Sequence, residues 1–300
     1  MKSQAPTTPT LPPELFAQLE GLSVRTRRLV TSLMAGEYAT AFKGRGMEFE
    51  QVREYQPGDD IRQLDWNVSA RTGVPHVKEH REERELTVML VVDLSASEAF
   101  GTRAREMREV AVEVAALLAL LAAKNNDRVG LVCFTSEIEK VIPPKKGRGQ
   151  SWRVVRELLT HTPRARGTDL AAALELVARI TKHHAVVFVL SDFRADGYDE
   201  PLKVLAHRHD VAALVLSDPR DLELPDAGLL TVHDPESGEV VLVDSSSRVV
   251  REQYTARARA HAAHRDEVLA RARVDTAHLS TDGEHVHRVV ELLRRREARP

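Results

Sequence analysis

The sequence predicts an α/β fold organised around a doubly wound, mainly parallel sheet, preceded by an N-terminal extension. Three observations carry that prediction. Apolar runs such as TVMLVVD from Thr87, AVVFVLSD from Ala185 and VAALVLSD from Val211 lack polar alternation, as strands buried on both faces do. Segments with a 3.6-residue apolar period separate them, as crossover helices must. Each run also ends in an acid, and doubly wound sheets bind ligands beyond the carboxyl ends of their strands.

Taken in order, residues 1–12 read as a Pro/Thr-rich flexible tail, and residues 13–84 as an N-terminal helix followed by a distinct segment. The helix is suggested by Leu15, Leu19 and Leu22. From Gly44 to Arg84, aromatic and charged residues alternate with the turn signals PGDD and RTG, which predicts short strands and loops. Residues 85–300 form the α/β unit. After TVMLVVD comes a helix whose apolar positions are Met107, Val110, Ala111, Val114, Leu117, Leu118 and Leu121. Two shorter strands follow, around RVGLVCF and EIEKVIP, and a basic loop, KKGRGQSWR, leads into a helix through Val154, Leu158 and Leu159. The alternation continues with GTDLAAALELVARI as helix, AVVFVLSD as strand, a short helix from Leu202 to Ala206, and VAALVLSD as strand. The segments LLTVHD and EVVLVD, joined by PESG, predict a hairpin near the sheet edge. A long Arg/Ala helix over 248–273, a last strand VDTAHLS, and a closing helix through Val286, Val289, Val290 and Leu293 complete the chain.

Composition narrows the function classes. With 300 residues and 42% hydrophobic content the chain buries a sizeable core, which excludes wholesale disorder. Lys and Arg number 43 against 45 Asp and Glu, a net charge of -2, so no global field draws it to nucleic acid, and no nucleic-acid partner is expected. The single cysteine, Cys133, sits in the apolar run VGLVCF and reads as a small core hydrophobe, which excludes disulfide scaffolds and cysteine zinc sites. The opening MKSQAPTTPTLPPEL lacks the apolar stretch of an export signal. The longest apolar stretch, VAVEVAALLALLAA, is interrupted by Glu113 and falls short of the roughly 20 residues that span a bilayer. A cytoplasmic protein without membrane insertion is expected.

Three polar clusters fall at predicted strand-end loops: Asp93, Ser95 and Ser97 after the first strand, Thr168 at the start of a helix, and Asp192 after AVVFVLS. All five offer oxygen only. That donor set suits a hard divalent cation such as Mg²⁺, or Ca²⁺ or Mn²⁺, and two carboxylates roughly neutralise the ion. Each residue alone also has a structural explanation, since Ser and Thr cap helices and Asp favours helix N-termini. The pattern resembles the metal-ion-dependent adhesion site of von Willebrand factor A domains: DxSxS, then Thr, then Asp. The resemblance implies that Asp93, Ser95, Ser97, Thr168 and Asp192 hold the ion, which bridges to an acid on a bound protein.

A second resemblance runs from about Gly44 to Arg194. The segment GRGMEFEQVREYQPGDDIRQLDWNVSARTG, followed by DLSAS, DRVGLVCF and LSDF, is similar to the bacterial domain of unknown function 58 family. Its box comprises Arg53, Tyr55, Gly58, Asp59, Asp60, Arg62, Asp65, Trp66 and Arg71. Members resemble partners of MoxR-type AAA+ ATPases, which implies a non-catalytic role in assembling or activating a client protein complex. Glu98 stands where the family commonly carries Met, placing an acid after the DxSxS loop. Physically, the box suits a structural role: Trp66 and Tyr55 offer buried area, and its Arg and Asp residues are self-complementary, pinning the extension to the sheet.

Other clusters are weaker. The pairs His207 with His209, His261 with His264 and His285 with His287 lack a third ligand in the sequence pattern. Lys145, Lys146, Arg148 and Arg153 lack the Gly-Lys-Ser/Thr ending of a nucleotide loop. An aspartyl phosphatase wants a second acid two residues after the nucleophile, where this chain has Ser95. A metal-assisted hydrolase at the same strand-end site is the competing class, with Glu98 or Asp169 as the nearby acids.

Overall fold

The structure is a computed structural model that describes residues 38, 41, 47–60, 64–82, 86–99, 105–233 and 239–298. The tail and the helix expected around Leu15 to Leu22 lie outside the described residues, as does Arg62. The first elements are β1 (Met47–Glu54), α1 (Trp66–Thr72) and β2 (His76–Glu82). Next come β3 (Thr87–Asp93), a 3-10 turn (Ala96–Ala99), α2 (Met107–Lys124), β4 (Arg128–Phe134), β5 (Ile138–Lys145), α3 (Arg148–Thr160) and α4 (Leu170–Ile180). The remainder comprises β6 (Val186–Ser191), α5 (Asp199–Arg208), β7 (Asp210–Ser217), the hairpin β8 (Leu229–His233) and β9 (Val240–Asp244), α6 (Arg248–Arg271), β10 (Asp275–Ser280) and α7 (His285–Glu297).

Six strands form one sheet in the order β10-β7-β6-β3-β4-β5. All neighbours are parallel except β5, which closes one edge antiparallel to β4. This is the doubly wound, mainly parallel arrangement that the apolar runs predict. Alternate side chains of β3 go to opposite faces: Val88, Leu90 and Val92 pack with Leu117, Leu118 and Leu293, whereas Met89 and Val91 pack with Leu174, Val177 and Leu202. Both faces are covered, so no position from Val88 to Val92 is left for a polar residue. Helix α2 is buried around most of its circumference, which explains its nearly uninterrupted apolar sequence. Cys133 is buried in the same core, and burial pushes its thiol well above the ordinary range.

At the antiparallel edge, Gly130 permits a close crossing. A Cβ there would lie 2.6 Å from Met89 Sδ and 2.9 Å from the Ile142 carbonyl oxygen, and the β4–β5 register shifts at this point. The hairpin β8–β9 pairs with itself as a separate two-stranded sheet. The basic stretch after β5 is largely helical, since α3 begins at Arg148.

The extension corrects one expectation. Instead of supplying buried area, Trp66 is 70% exposed, and Tyr55 is half-buried. The reason is that α1 is a seven-residue helix without a buried face. Its start is set by Asp65, whose carboxylate accepts from the N–H groups of Asn67 and Val68. Self-complementarity is realised within the box: Arg53 makes a two-pronged bond to Asp59 at 2.7 and 2.8 Å, and Gly58 turns the chain at φ +113°. Among the described residues, Tyr38, fully buried in the cluster containing α2, and Ala41 pack against the main core. The Tyr38 phenol faces Asp127, whose carboxylate accepts from the Leu86 N–H.

Candidate metal centre

Chain order reverses between β3, which leads to β4 on one side, and β6, which pairs on the other. Crevices open at such reversals because the outgoing loops diverge. Here the register pairs Val92 with Leu190, which sets Asp93 beside Ser191 at the mouth of the crevice. The Ser191 hydroxyl donates to Asp93 Oδ2 at 2.7 Å, and the Ser95 N–H donates to Oδ1 at 2.9 Å. The Ser95 side chain also hydrogen-bonds to this carboxylate, so its donors all come from these two serines.

The loop after β3 turns through the 3-10 segment, which brings the Ser95 and Ser97 hydroxyls within 2.9 Å of each other. Asp93, Ser95 and Asp192 are buried, and Ser97 is half-buried. Asp93 carries the electrostatic signature of the site: burial first, and then repulsion by Asp192, push its carboxyl up to about 7, against the hydrogen bonds from Ser95 and Ser191. Two buried acids are therefore held together where they oppose one another. A divalent cation relieves both effects, so the donor set fits a metal chemically. Among the described residues no cluster of three or more His, Cys, Asp or Glu could hold a metal, and a set of two carboxylates with hydroxyls does not require one.

Thr168 reaches the region through a neighbouring loop. The Ala96 N–H donates to the Arg166 carbonyl at 2.9 Å, and the Asp169 N–H to the Thr135 carbonyl at 2.8 Å, so both sides of Thr168 are tied to the loops after β3 and β4. Asp169 itself caps α4, its carboxylate accepting from the Ala172 N–H. The backbone of Glu98 lies in the 3-10 turn, and its side chain is outside the described residues.

Three residues matter here that the sequence did not single out. Glu139 on β5 accepts from Thr135 Oγ1 at 3.0 Å and from the Arg164 and Ala165 N–H groups at 2.8 and 3.1 Å. Burial works to raise its carboxyl, yet these donors and His161 outweigh it and leave the group below the ordinary range. Glu139 thereby holds the loop that leads to Thr168. Phe193 follows Asp192 with φ +57°, an unusual backbone for a bulky residue. Its ring is buried edge-to-face on Tyr198, with centroids 5.7 Å apart, which offsets the strain. The turn directs Arg194 toward Asp221, at 3.2 Å, and Asp192, at 4.0 Å. A single acid within an edge strand and an aromatic beside an Asp carry no local pattern that would have revealed either role.

The histidine pairs stay apart in function. His285 contacts Glu113 at 3.2 Å, in a network with Arg105 that joins α7 to α2, and His287 faces Glu291 on its own helix.

Residues 51–264 match the family described as "Protein of unknown function DUF58". The chain belongs to the DUF58 family. It is 36% identical over 259 residues to uncharacterized protein Rv1480 of Mycobacterium tuberculosis, an alignment covering 85% of this chain and 80% of the relative. Uncharacterized protein YeaD of Bacillus subtilis is 32% identical over 107 residues, covering 36% of this chain and 25% of that one. Among solved structures, conserved hypothetical protein BatB from Bacteroides thetaiotaomicron aligns with a TM-score of 0.47 at 16% identity, covering 70% of this DUF58 chain and 98% of BatB. The SpRpn10 VWA domain aligns with a TM-score of 0.38 at 9% identity, covering 68% and 94% respectively. Among the described residues of this DUF58 chain, no helix is long and apolar enough to cross a membrane.

Proposed function

We propose that this DUF58 protein is a non-catalytic, metal-dependent interaction module. It acts in the cytoplasm with a MoxR-type AAA+ ATPase in the assembly or activation of a client complex. The single observation that supports metal dependence is the buried Asp93, opposed by Asp192 and served by the Ser95 and Ser191 donors, at the reversal point of the sheet. In this reading Asp93, Ser95, Ser97, Thr168 and Asp192 hold Mg²⁺ as an adhesion site of the von Willebrand type. The ion supplies a hard Lewis-acidic centre that a carboxylate of the partner can complete. The protein's own groups do the positioning: Ser95 and Ser191 orient Asp93, and Glu139 and Asp169 hold the Thr168 loop. The ATPase partner is carried over from the family resemblance.

A metal-assisted hydrolase would need a base beside the ion. Asp169 is engaged as the α4 cap, which favours the binding reading.

The test combines calorimetric Mg²⁺ titration with capture of the ATPase from a co-expressing cell. Asp93→Ala is expected to abolish Mg²⁺ binding with the fold retained, and both EDTA and Asp192→Ala are expected to abolish capture. Capture that survives both EDTA and Asp192→Ala, yet fails with Trp66→Ala, would move the interface to the exposed extension.

A further inference from the structure

A cleft of about 860 Å³ runs from the metal position, where Ser97 and Asp192 line it, to residues that take no part in holding the proposed ion. Much of the rest of its lining comes from α6. Within α6 no residue before Val268 is buried, so the helix stands over the strand ends and leaves the cleft beneath it. The Tyr254 hydroxyl anchors it there by donating to the Arg220 carbonyl at 3.0 Å.

Two adjacent stripes of α6 face the cleft. Arg257, His261 and Arg265 follow one another at four-residue spacing and make a row with two guanidinium groups, while Tyr254, Ala258 and Ala262 make a row whose small residues open space next to it. From the sheet side come Arg194 and the apolar side chains of Phe193 and Leu222. The aspartates do not cancel this charge evenly. Arg194 is paired with Asp221, and Arg265 with Asp266 at 3.0 Å, whereas Arg257 makes no ion pair among the described residues.

We propose that this cleft is a second recognition site, for an acidic segment of a partner polypeptide whose carboxylates alternate with apolar side chains. The acids meet the Arg257 row and the apolar groups fill the space over Ala258, Ala262 and Leu222. The lining has no glycine-rich backbone cradle of the kind that holds phosphate, and its apolar content suits a peptide better than a bare anion. This inference deepens the interaction reading and rests on it for the contact at Ser97 and Asp192, but the arginine row makes its own demand on the ligand.

The experiment uses fluorescence anisotropy of a labelled decapeptide of alternating Glu and Leu, with the full-length protein in Mg²⁺ or EDTA. A Gln/Leu peptide serves as the neutral control. Arg257→Glu is expected to weaken binding about tenfold or more, with Arg257→Lys retaining most of it, because a like charge replaces a charge-assisted contact. Circular dichroism checks that the exposed substitution leaves the fold intact. Binding that survives EDTA and Asp93→Asn but falls in Arg257→Glu supports the cleft and removes the metal. Binding that follows EDTA and Asp93→Asn but ignores Arg257→Glu overturns the cleft and leaves the metal reading standing. Equal binding of the two peptides, no binding of either, or displacement by millimolar inorganic phosphate would each overturn the acidic-peptide assignment.

Discussion

Replacing Asp93 by Asn should stabilise the metal-free protein while destroying its response to Mg²⁺. Folded Asp93 keeps its proton up to about pH 7, because burial and then Asp192 oppose its charge, whereas an unfolded aspartate releases it near about pH 4. Between those values the folded state binds more protons than the unfolded one. Stability of the metal-free wild type therefore falls as pH rises through the window and levels off above about 7. Three units correspond to about 4 kcal/mol, an upper bound for a group whose surroundings can relax. Asparagine removes the charge and can still accept from the Ser95 N–H, so at pH 8 in EDTA Asp93→Asn should exceed wild type by about 2 to 4 kcal/mol. Wild type should recover about 2.7 kcal/mol when Mg²⁺ reaches a hundred times its dissociation constant, with no gain for the variant. Urea denaturation at pH 5 and pH 8, with EDTA or Mg²⁺, reads all four states. An Asp93→Asn protein that is less stable than wild type at pH 8 in EDTA, or equally responsive to Mg²⁺, would refute the reasoning.

Three further outcomes follow from the geometry. Gly130→Ala forces a Cβ to 2.6 Å from Met89 Sδ and 2.9 Å from backbone and should cost about 1 to 3 kcal/mol in urea unfolding; an unchanged midpoint would show that the β4–β5 edge can yield. Glu139→Ala releases the Arg164 and Ala165 N–H groups, so amide hydrogen exchange in residues 161–168 should rise and Mg²⁺ affinity fall about tenfold, with slow exchange there counting against its role. His209 is held down to about 4, by burial first and then by Arg208 and His184. Since the unfolded histidine takes up its proton near about 6.5, stability is fully present above that value and declines as pH falls toward 4; His209→Leu should flatten this part of the pH–stability curve.

Much of the α/β unit is legible in the sequence because it depends on local periodicity. The runs in β3, β6 and β7 are apolar at successive positions, and only a strand covered on both faces makes that pattern stable in water. Placement of the acids follows from the same fact, since Asp93 and Asp192 follow the apolar runs at the carboxyl ends of β3 and β6. The extension was less legible. Trp66 reads as core by residue type, but a seven-residue helix with no buried face leaves it in solvent.

The sequence by itself determined the alternation of strands and helices, the family box, and the identity of the five oxygen-bearing residues, because each is a matter of residue type at short spacing; Thr168, expected at a strand end, lies instead in the loop between α3 and α4. Tertiary structure decided which of them act together. Pairing β6 on one side of β3 and β4 on the other sets Ser191 on Asp93 across 98 residues of chain and brings Asp192 close enough to repel it. It also laid α6 over the strand ends, so that Arg257 and Arg265 share a cleft with Ser97. Such encounters depend on strand order and on loops meeting in space, and a one-dimensional pattern holds neither.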